Sequence, residues 1–160
     1  MHAETTVEIR GPLSRIVALG ADIERWPDIL PHYRWVTLLG GGGDRKVVEM
    51  AARRGRIPLR WRAVQEIDRS GPMPVIAYRH IWGPTRGMDV AWTFVETANG
   101  IDVTIDHRFR APWPIAGNAI ANRIIGPHFI EPVAALTLST IKQIVERETA
   151  AATTAAGGAS

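Results

Sequence analysis

Five histidines and two tyrosines are the residues of this chain that we consider first for acid–base chemistry. His107 lies between Ile105 and Phe109 in a stretch that alternates apolar and polar residues, so it should share the buried face of a strand. A neutral imidazole there could accept or donate a proton near pH 7. The alternative is a core histidine satisfied by one hydrogen bond. His80 could face the same side, but the register of its segment leaves its direction open.

Tyr33 is the second candidate for proton transfer, and the prolines before it predict where it lies. Proline disfavours a helical conformation in the residue before it, so Pro27 and Pro31 should turn the chain twice between Trp26 and Tyr33. These turns would place both aromatic rings where a pair of short helices meets a sheet. His32 is expected to point away from the side that Tyr33 faces, if this segment is extended.

The sequence does not contain the residue patterns that other kinds of catalytic site require. No two histidines are four residues apart and no His–Glu cluster occurs, so we predict no metal site. The serines fall in predicted helices or turns, outside any nucleophile elbow. The absence of cysteine excludes disulfides and thiolate chemistry. We expect no cofactor.

The hydrophobic pattern predicts an α+β domain that would position these residues. A strand at 6–10 precedes two short helices between 13 and 26, and a long antiparallel run follows. Its strands are predicted at 35–39, 46–51, 57–67, 75–81, 88–94 and 103–109. A loop at 40–44, rich in glycine, should join the first two of these. The total is about six or seven strands.

A long C-terminal helix closes the predicted domain. Apolar residues recur at helical spacing from Ile130 to Val145 and form one broad stripe. A curved sheet wrapped around this helix is the economical arrangement, and the space between them is a natural ligand site. We predict one domain over residues 1–148. Residues 149–160, rich in Ala, Thr and Gly, are expected to be a flexible tail.

The same patterns predict the walls of a ligand cavity between sheet and helix. With His107 and Tyr33 as catalytic candidates, the candidate ligand-binding residues are Trp26, Trp61, Gln65, His80, Met88, Trp92, Phe109, Leu138 and Ile141. The alternative for each tryptophan is that it packs in the hydrophobic core and does not line a cavity.

Charge and composition restrict the partners. The net charge is +3, and five arginines fall within ten residues, from Arg53 to Arg62. No nucleic-acid-binding motif accompanies them, so we predict a solvated hairpin and no nucleic-acid partner. The alternative for this cluster is an interaction surface for a phosphorylated partner, such as the arm of a carrier protein. No apolar run approaches the ~20 residues of a membrane span, and the first residues do not resemble a signal peptide. We therefore expect a cytoplasmic protein without stable membrane insertion, either a monomer or a homodimer.

Several motifs resemble those of the helix-grip superfamily, which comprises START-like domains, polyketide aromatase/cyclases and coenzyme-Q-binding proteins. The element order matches that architecture over about residues 4–148. Trp26-Pro27 through Tyr33 resembles the Trp-Pro-x-x-x-x-x-Tyr motif of the aromatase/cyclases, whose tyrosine lines the cavity. The segment from Gly83 to Phe94 resembles their Gly-Pro-Phe-x-x-Met-x-x-x-Trp strand, and Asn99-Gly100 with the strand after it resembles their last strand.

This resemblance implies a hydrophobic ligand held between sheet and helix. The aromatase/cyclase branch implies cyclisation and dehydration of a poly-β-ketone, with an acyl carrier protein as a candidate partner. The coenzyme-Q branch implies a non-catalytic carrier of a polyprenyl quinone or lipid. One departure matters: the aromatase/cyclases carry a serine and an arginine on the strand that begins near Trp61, and this chain has Ala63 and Gln65 there.

Overall fold

One seven-stranded antiparallel sheet and a long C-terminal helix form the protein, as a computed structural model that describes residues 1–109 and 129–157 shows. The strands are β1 (His2–Ile9), β2 (Tyr33–Gly42), β3 (Arg45–Arg54), β4 (Ile57–Asp68), β5 (Val75–Trp82), β6 (Met88–Glu96) and β7 (Ile101–Phe109). The helices are α1 (Leu13–Ala21), a single 3₁₀ turn (Ile23–Arg25), α2 (Trp26–Ile29) and α3 (Glu131–Gly157). The predicted α+β helix-grip architecture is confirmed.

The sheet has the order β1-β7-β6-β5-β4-β3-β2. Each pair of neighbouring strands is consecutive in sequence, except the pair of β1 and β7. Irregularities in strand pairing occur in β2 and between Arg62 and Ala63 of β4. Bulges of this kind bend a strand and increase its twist. The bends curve the sheet, and its buried side chains face α3.

Polar contacts and one glycine fix α3 against the first strand and helix. Lys142 donates from Nζ to the carbonyl oxygen of Glu8 at 2.6 Å, and Arg15 pairs with Glu148 at 2.8 Å. A Cβ on Gly11 would lie 2.3 Å from a methyl group of Val145, so only glycine allows this close approach. Together these contacts hold the helix at the edge of the sheet formed by β1.

The strands extend further than the sequence pattern predicted. The loop predicted at 40–44 is in fact a tight turn at Gly43-Asp44, because residues 40–42 pair with residues 45–47 in the β2–β3 ladder. β1 begins at His2 rather than at residue 6, since its whole length pairs with β7. Ladder hydrogen bonds outweigh the weak strand propensity of glycine in the first case.

Helix α3 also continues past residue 148, where the sequence analysis ended the domain. It runs to Gly157, although its last turns are exposed. Alanine has the highest helix propensity, and the hydroxyls of Thr153 and Thr154 bond to carbonyls four residues earlier. The predicted flexibility of this tail stays a prediction. None of the described helices is long and apolar enough to cross a membrane.

Candidate ligand cavity

A predominantly apolar cavity of about 70 Å³ lies between the sheet and the first turns of α3. A cavity needs roughly 10–15 Å³ to hold one water, so this one can contain water but is far smaller than the ~300–1,000 Å³ of a typical ligand pocket. A larger ligand must therefore displace side chains to enter. The cavity is lined by Trp26, Tyr33, Met50, Leu59, Trp61, Tyr78, His80, Thr85, Met88, Val90, Trp92, Ile105, His107, Phe129, Ile130, Val133, Ala134 and Thr137.

The structure brings most of the residues proposed from sequence into this wall. Both catalytic candidates and five of the ligand-binding candidates line it: Tyr33, His107, Trp26, Trp61, His80, Met88 and Trp92. Four candidates lie elsewhere. Leu138, Ile141 and Phe109 are packed in the core, almost fully buried, and Gln65 is engaged in internal hydrogen bonds. The part of α3 that meets the cavity is its first two turns, ending at Thr137.

Aromatic rings form one continuous wall of the cavity. Trp26 lies 4.9 Å from Tyr33 and 5.8 Å from Trp92, measured between ring centroids. Tyr33 lies 6.2 Å from Trp61, whose ring stacks on His80 at 5.6 Å. The short α2 helix supplies Trp26, and the Nε1 of this residue donates to the carbonyl of Leu19 at 3.0 Å. The rings are thus held by packing and by a local hydrogen bond. Tyr33 meets both Trp26 and Trp61 edge-on, at 61°, so the wall is apolar and angular.

His80 is oriented by the loop between β5 and β6. Its Nδ1 lies 2.7 Å from the hydroxyl of Thr85, which is almost fully buried. Gly83 has a φ of +98°, and a Cβ there would lie 2.6 Å from the carbonyl oxygen of Arg60. This glycine lets the loop fold tightly against β4 and places Thr85 beside the imidazole. Burial lowers the pKa of His80 to about 3, so the ring is neutral at pH 7.

His107 projects from β7 into the same cavity, as its alternation with Ile105 requires. Burial lowers the pKa of His107 to about 4, although the neighbouring Asp106 carboxylate opposes this shift. The described residues offer its ring nitrogens no hydrogen bond. A neutral imidazole with uncommitted nitrogens can accept or donate a proton at a ligand.

The two tyrosines of the cavity have different roles. Burial raises the pKa of the Tyr33 hydroxyl far above its usual value, so this group stays protonated. Within the described residues the Tyr33 hydroxyl makes no hydrogen bond, and as a protonated hydroxyl in the cavity wall it is a candidate donor to a ligand. Tyr78 instead donates to the carbonyl of Gly20 at 3.0 Å and accepts from the amide of Gln65 at 2.9 Å. Tyr78 is therefore a structural link between β5 and α1.

The prediction for His32 is wrong, because this residue points inward. It occupies a turn before β2 rather than an extended strand, so strand alternation does not apply to it. Its Nε2 lies 2.9 Å from the hydroxyl of Thr137 on α3, and its ring lies 4.8 Å from that of Tyr33. Burial lowers the pKa of His32 to about 4. His32 thus joins the start of β2 to the helix behind the cavity wall.

Gln65 and Ala63 face inward on β4. The aromatase/cyclases that this chain resembles carry an arginine and a serine on the corresponding strand. Ala63 is fully buried and offers no polar group. Gln65 donates from Nε2 to the carbonyl of Ala21 and to the hydroxyl of Tyr78, both at 2.9 Å. Neither position offers a ligand the hydroxyl or the cation of that pair. The polar groups of the cavity wall that remain for this role include the imidazoles of His80 and His107, the hydroxyl of Tyr33 and the Nε1 of Trp61.

Sequence reasoning missed Thr85 and Thr137. Thr85 is in a loop and Thr137 is within an apolar helical stripe, so neither periodicity nor residue type marks them. The only signal was the Gly83-Pro84 turn, which indicates a backbone that requires glycine. Among the residues that the structure describes, no group of His, Cys, Asp and Glu side chains could hold a metal ion.

The arginine hairpin of β3 and β4 divides into two parts. Arg60 and Arg62 both bond to the nearly buried carboxylate of Glu49, at 2.6 Å each, and both lie over the ring of Trp82. These two cations are fixed on the outer face of the sheet. Arg53 and Arg56, near the turn, are exposed, and the Nε of Arg53 bonds to the carbonyl of Gly55. The free positive charge is therefore confined to the hairpin tip.

Comparison with known proteins connects this cavity with a family. Residues 9–124 match the family described as polyketide cyclase / dehydrase and lipid transport. A protein of Streptomyces halstedii named "Putative polyketide cyclase" is 28% identical over 103 residues, which cover 62% of this chain and 93% of that protein.

Solved structures share the fold. The crystal structure of the Zhui aromatase/cyclase from Streptomyces sp. R1128 has a TM-score of 0.72 and 21% identity, with 93% of this chain and 95% of that one covered. A STAR-related lipid transfer protein from Xanthomonas axonopodis has a TM-score of 0.64 and 13% identity, with 91% of this chain and 85% of that one covered. At such identities these likenesses establish the fold alone.

Proposed function

This chain belongs to the polyketide cyclase/dehydrase and lipid transport family, and we propose that it cyclises and dehydrates a poly-β-ketone or a related aromatic precursor. The coarser function, binding of a hydrophobic ligand, follows from family and fold. The finer function rests on one observation. Two neutral imidazoles, His80 and His107, and the Tyr33 hydroxyl face the same apolar cavity.

Ionisable groups in an apolar wall support catalysis because simple carriage does not need them. Burial of each imidazole disfavours its charged form, as the lowered pKa values of His80 and His107 show. A cavity that only enclosed a lipid would be more stable with apolar side chains at these positions. Perturbed titratable groups clustered in a cleft are the usual mark of an active site.

The proposed reaction needs one base, one hydrogen-bond donor and no cofactor. His107 accepts a proton from a carbon that lies between two ketone groups. The resulting enolate carbon attacks a second ketone carbon of the same chain and forms a C–C bond, while the Tyr33 hydroxyl donates a hydrogen bond to the developing alkoxide. The imidazolium of His107 returns its proton to that alkoxide, which gives a cyclic alcohol.

Dehydration then uses the same imidazole. His107 removes a second proton from the carbon adjacent to the alcohol and delivers it to the departing hydroxyl group. The products are one C=C bond and one water molecule. The low pKa of His107 makes its imidazolium a strong acid for this delivery. The flat rings of Trp26, Trp61 and Trp92 would hold the chain folded, with the reacting carbons close together.

A second function, carriage of a polyprenyl quinone or lipid without turnover, has one observation in its favour. Gln65 on β4 has its amide Nε2 engaged with Ala21 and Tyr78. The two positions that carry the reactive pair in the enzymes that this chain resembles, here Ala63 and Gln65, therefore offer a ligand neither a hydroxyl nor a cation. Under this alternative, His80 and His107 would serve only to recognise polar atoms of the cargo.

Replacement of His107 tests the choice between the two functions. General acid–base catalysis contributes about 10²–10⁴-fold, so His107→Ala should lower the rate of cyclisation by that factor while ligand affinity changes much less. His2→Ala, which removes an exposed histidine, is the control and should leave the rate unchanged. An unchanged rate in folded His107→Ala would remove this residue from the mechanism.

We also propose a cytoplasmic location and delivery of the substrate by an acyl carrier protein. The exposed cations at the hairpin tip, Arg53 and Arg56, support this partner because such proteins present a phosphate group. Arg53→Gln with Arg56→Gln should weaken carrier-protein association and leave binding of the free ligand unchanged. Equal association with and without the two arginines would contradict this docking surface.

A further inference from the structure

Trp61 carries a hydrogen-bond donor that the protein itself does not use. Its Nε1 is fully buried and has no acceptor among the described residues, while its ring lines the cavity. Buried polar atoms nearly always have a partner, so an unpaired donor in a cavity wall points to an acceptor inside the cavity, which is a bound water in the empty protein and an acceptor atom of the ligand in the complex. Trp61 itself is only 5% exposed, so bulk water does not satisfy this group.

Thr85 determines which nitrogen of His80 carries the proton. Its hydroxyl lies 2.7 Å from Nδ1, and the described part of the chain offers the hydroxyl proton no other acceptor. If Nδ1 carried a proton, the hydroxyl proton would be buried without a partner, which is costly. The hydroxyl therefore donates to Nδ1. The single proton of the neutral ring is then on Nε2, the nitrogen that remains for a ligand.

The pair of His32 and Thr137, next to the cavity, has the opposite arrangement of donor and acceptor. The hydroxyl of Thr137 donates to the carbonyl of Val133 at 2.8 Å, so toward His32 it can only accept. The Nε2 of His32 is therefore the donor, and its buried Nδ1 carries the lone pair. The two histidine–threonine pairs thus differ in proton arrangement, because Val133 provides an acceptor to Thr137, whereas residues 1–109 and 129–157 provide Thr85 with no acceptor other than His80.

We propose that Trp61 Nε1–H and His80 Nε2–H form a donor pair that binds neighbouring carbonyl oxygens of a neutral ligand, with Thr85 as the residue that positions the His80 proton. The two rings are stacked with centroids 5.6 Å apart and planes 13° apart, so they form one patch of the wall. The inference rests on the proposed function and specifies its substrate as a 1,3-dicarbonyl or similar compound with closely spaced acceptors. Neutral donors in a water-poor site also stabilise the negative charge that an enolate oxygen acquires.

The proton arrangement can be measured without any ligand. In protein labelled with ¹⁵N-histidine, long-range ¹H–¹⁵N NMR spectra distinguish the two neutral forms of each imidazole. We expect His80 to carry its proton on Nε2 in the wild type and in Thr85→Ser, which keeps the hydroxyl. Thr85→Val, which has nearly the same shape but no hydroxyl, should give a mixture of forms. A His80 that carries its proton on Nδ1 in the wild type would overturn the inference.

Binding of two matched probes tests the donor pair directly. 1-Tetralone has one ketone oxygen, whose two lone pairs can accept from both donors, and tetralin is the same bicyclic skeleton without it. Trp61→Phe and Thr85→Val should each weaken tetralone binding by about 3–10-fold relative to tetralin, the usual net effect of one hydrogen bond. Thr85→Ser should retain the wild-type ratio.

The outcomes separate the donor pair from the function on which it rests. If both probes bind the wild type and the variants weaken both equally, the cavity takes hydrophobic ligands and the donor pair is wrong. If neither probe binds the wild type, the proposed function fails and the donor pair fails with it. A selective loss of tetralone affinity supports both.

Discussion

Mild acid should destabilise this protein through its buried histidines, and His80 allows the size of the effect to be calculated. Its folded-state pKa of about 3 lies below the ordinary value of 6.5, so protons bind preferentially to the unfolded chain. The stabilisation from the neutral ring is complete above pH 6.5 and is lost as the pH falls from 6.5 towards 3. One pKa unit corresponds to about 1.4 kcal/mol, so His80 alone should lower the free energy of unfolding by roughly 2–3 kcal/mol between pH 7.5 and pH 4.5. His32 and His107 act in the same direction.

Urea unfolding followed by tryptophan fluorescence at these two pH values measures the effect. His80→Phe keeps a ring in the core but cannot titrate, so its loss of stability between the two pH values should be about 2–3 kcal/mol smaller than that of the wild type. Thr85→Val is the matched control, because it removes the same hydrogen bond and leaves the titrating ring in place. It should show a pH dependence close to that of the wild type. An identical pH dependence in His80→Phe and the wild type would refute the reasoning.

Two further substitutions probe the framework of the cavity. Gly83→Ala should lower the free energy of unfolding by about 1–3 kcal/mol and should also lower cyclisation activity, because the φ of +98° and the nearby Arg60 carbonyl leave no room for a Cβ. Thermal unfolding measures the first effect and a rate assay measures the second. A variant as stable as the wild type would contradict the role given to the loop. Gln65→Leu should lower stability by about 1–3 kcal/mol, because it leaves the buried carbonyl of Ala21 without the Gln65 amide donor, yet it should not change the rate per folded molecule. A rate lowered a hundredfold in folded Gln65→Leu would show that this residue acts on the substrate after all.

Strict alternation made the sheet and the main catalytic candidate predictable. In β7, residues 101, 103, 105 and 109 are buried, and His107 follows the same inward series, so one face assignment places them all. The helical stripe of α3 was visible for the same reason, since Ala134, Leu138, Ile141 and Val145 are buried. Where the period of the element is regular, the direction of a side chain follows from its position.

Turns and loops carry no such period, and the direction of His32 and the role of Thr85 could not be predicted there. His32 was assigned to an extended segment, but it lies in a turn whose geometry directs it to Thr137. Thr85 was not identified because its position depends on the left-handed backbone of Gly83 and on the β4 strand beneath it. Which turns of α3 line the cavity depends on packing between elements that are distant in sequence. For this reason Leu138 and Ile141 are in the core and not in the cavity wall.

Product analysis with a linear poly-β-ketone tests the central claim most directly. A minimal polyketide synthase would generate the chain in the presence of the wild-type protein, of His107→Ala or of no added protein, and mass spectrometry would follow the products. The account predicts that the wild type directs the chain to one cyclised product that has lost one water, and that His107→Ala returns the spontaneous mixture. The same mixture in all three reactions, with intact ketone or an unrelated lipid bound to the wild type, would contradict catalysis and leave a carrier.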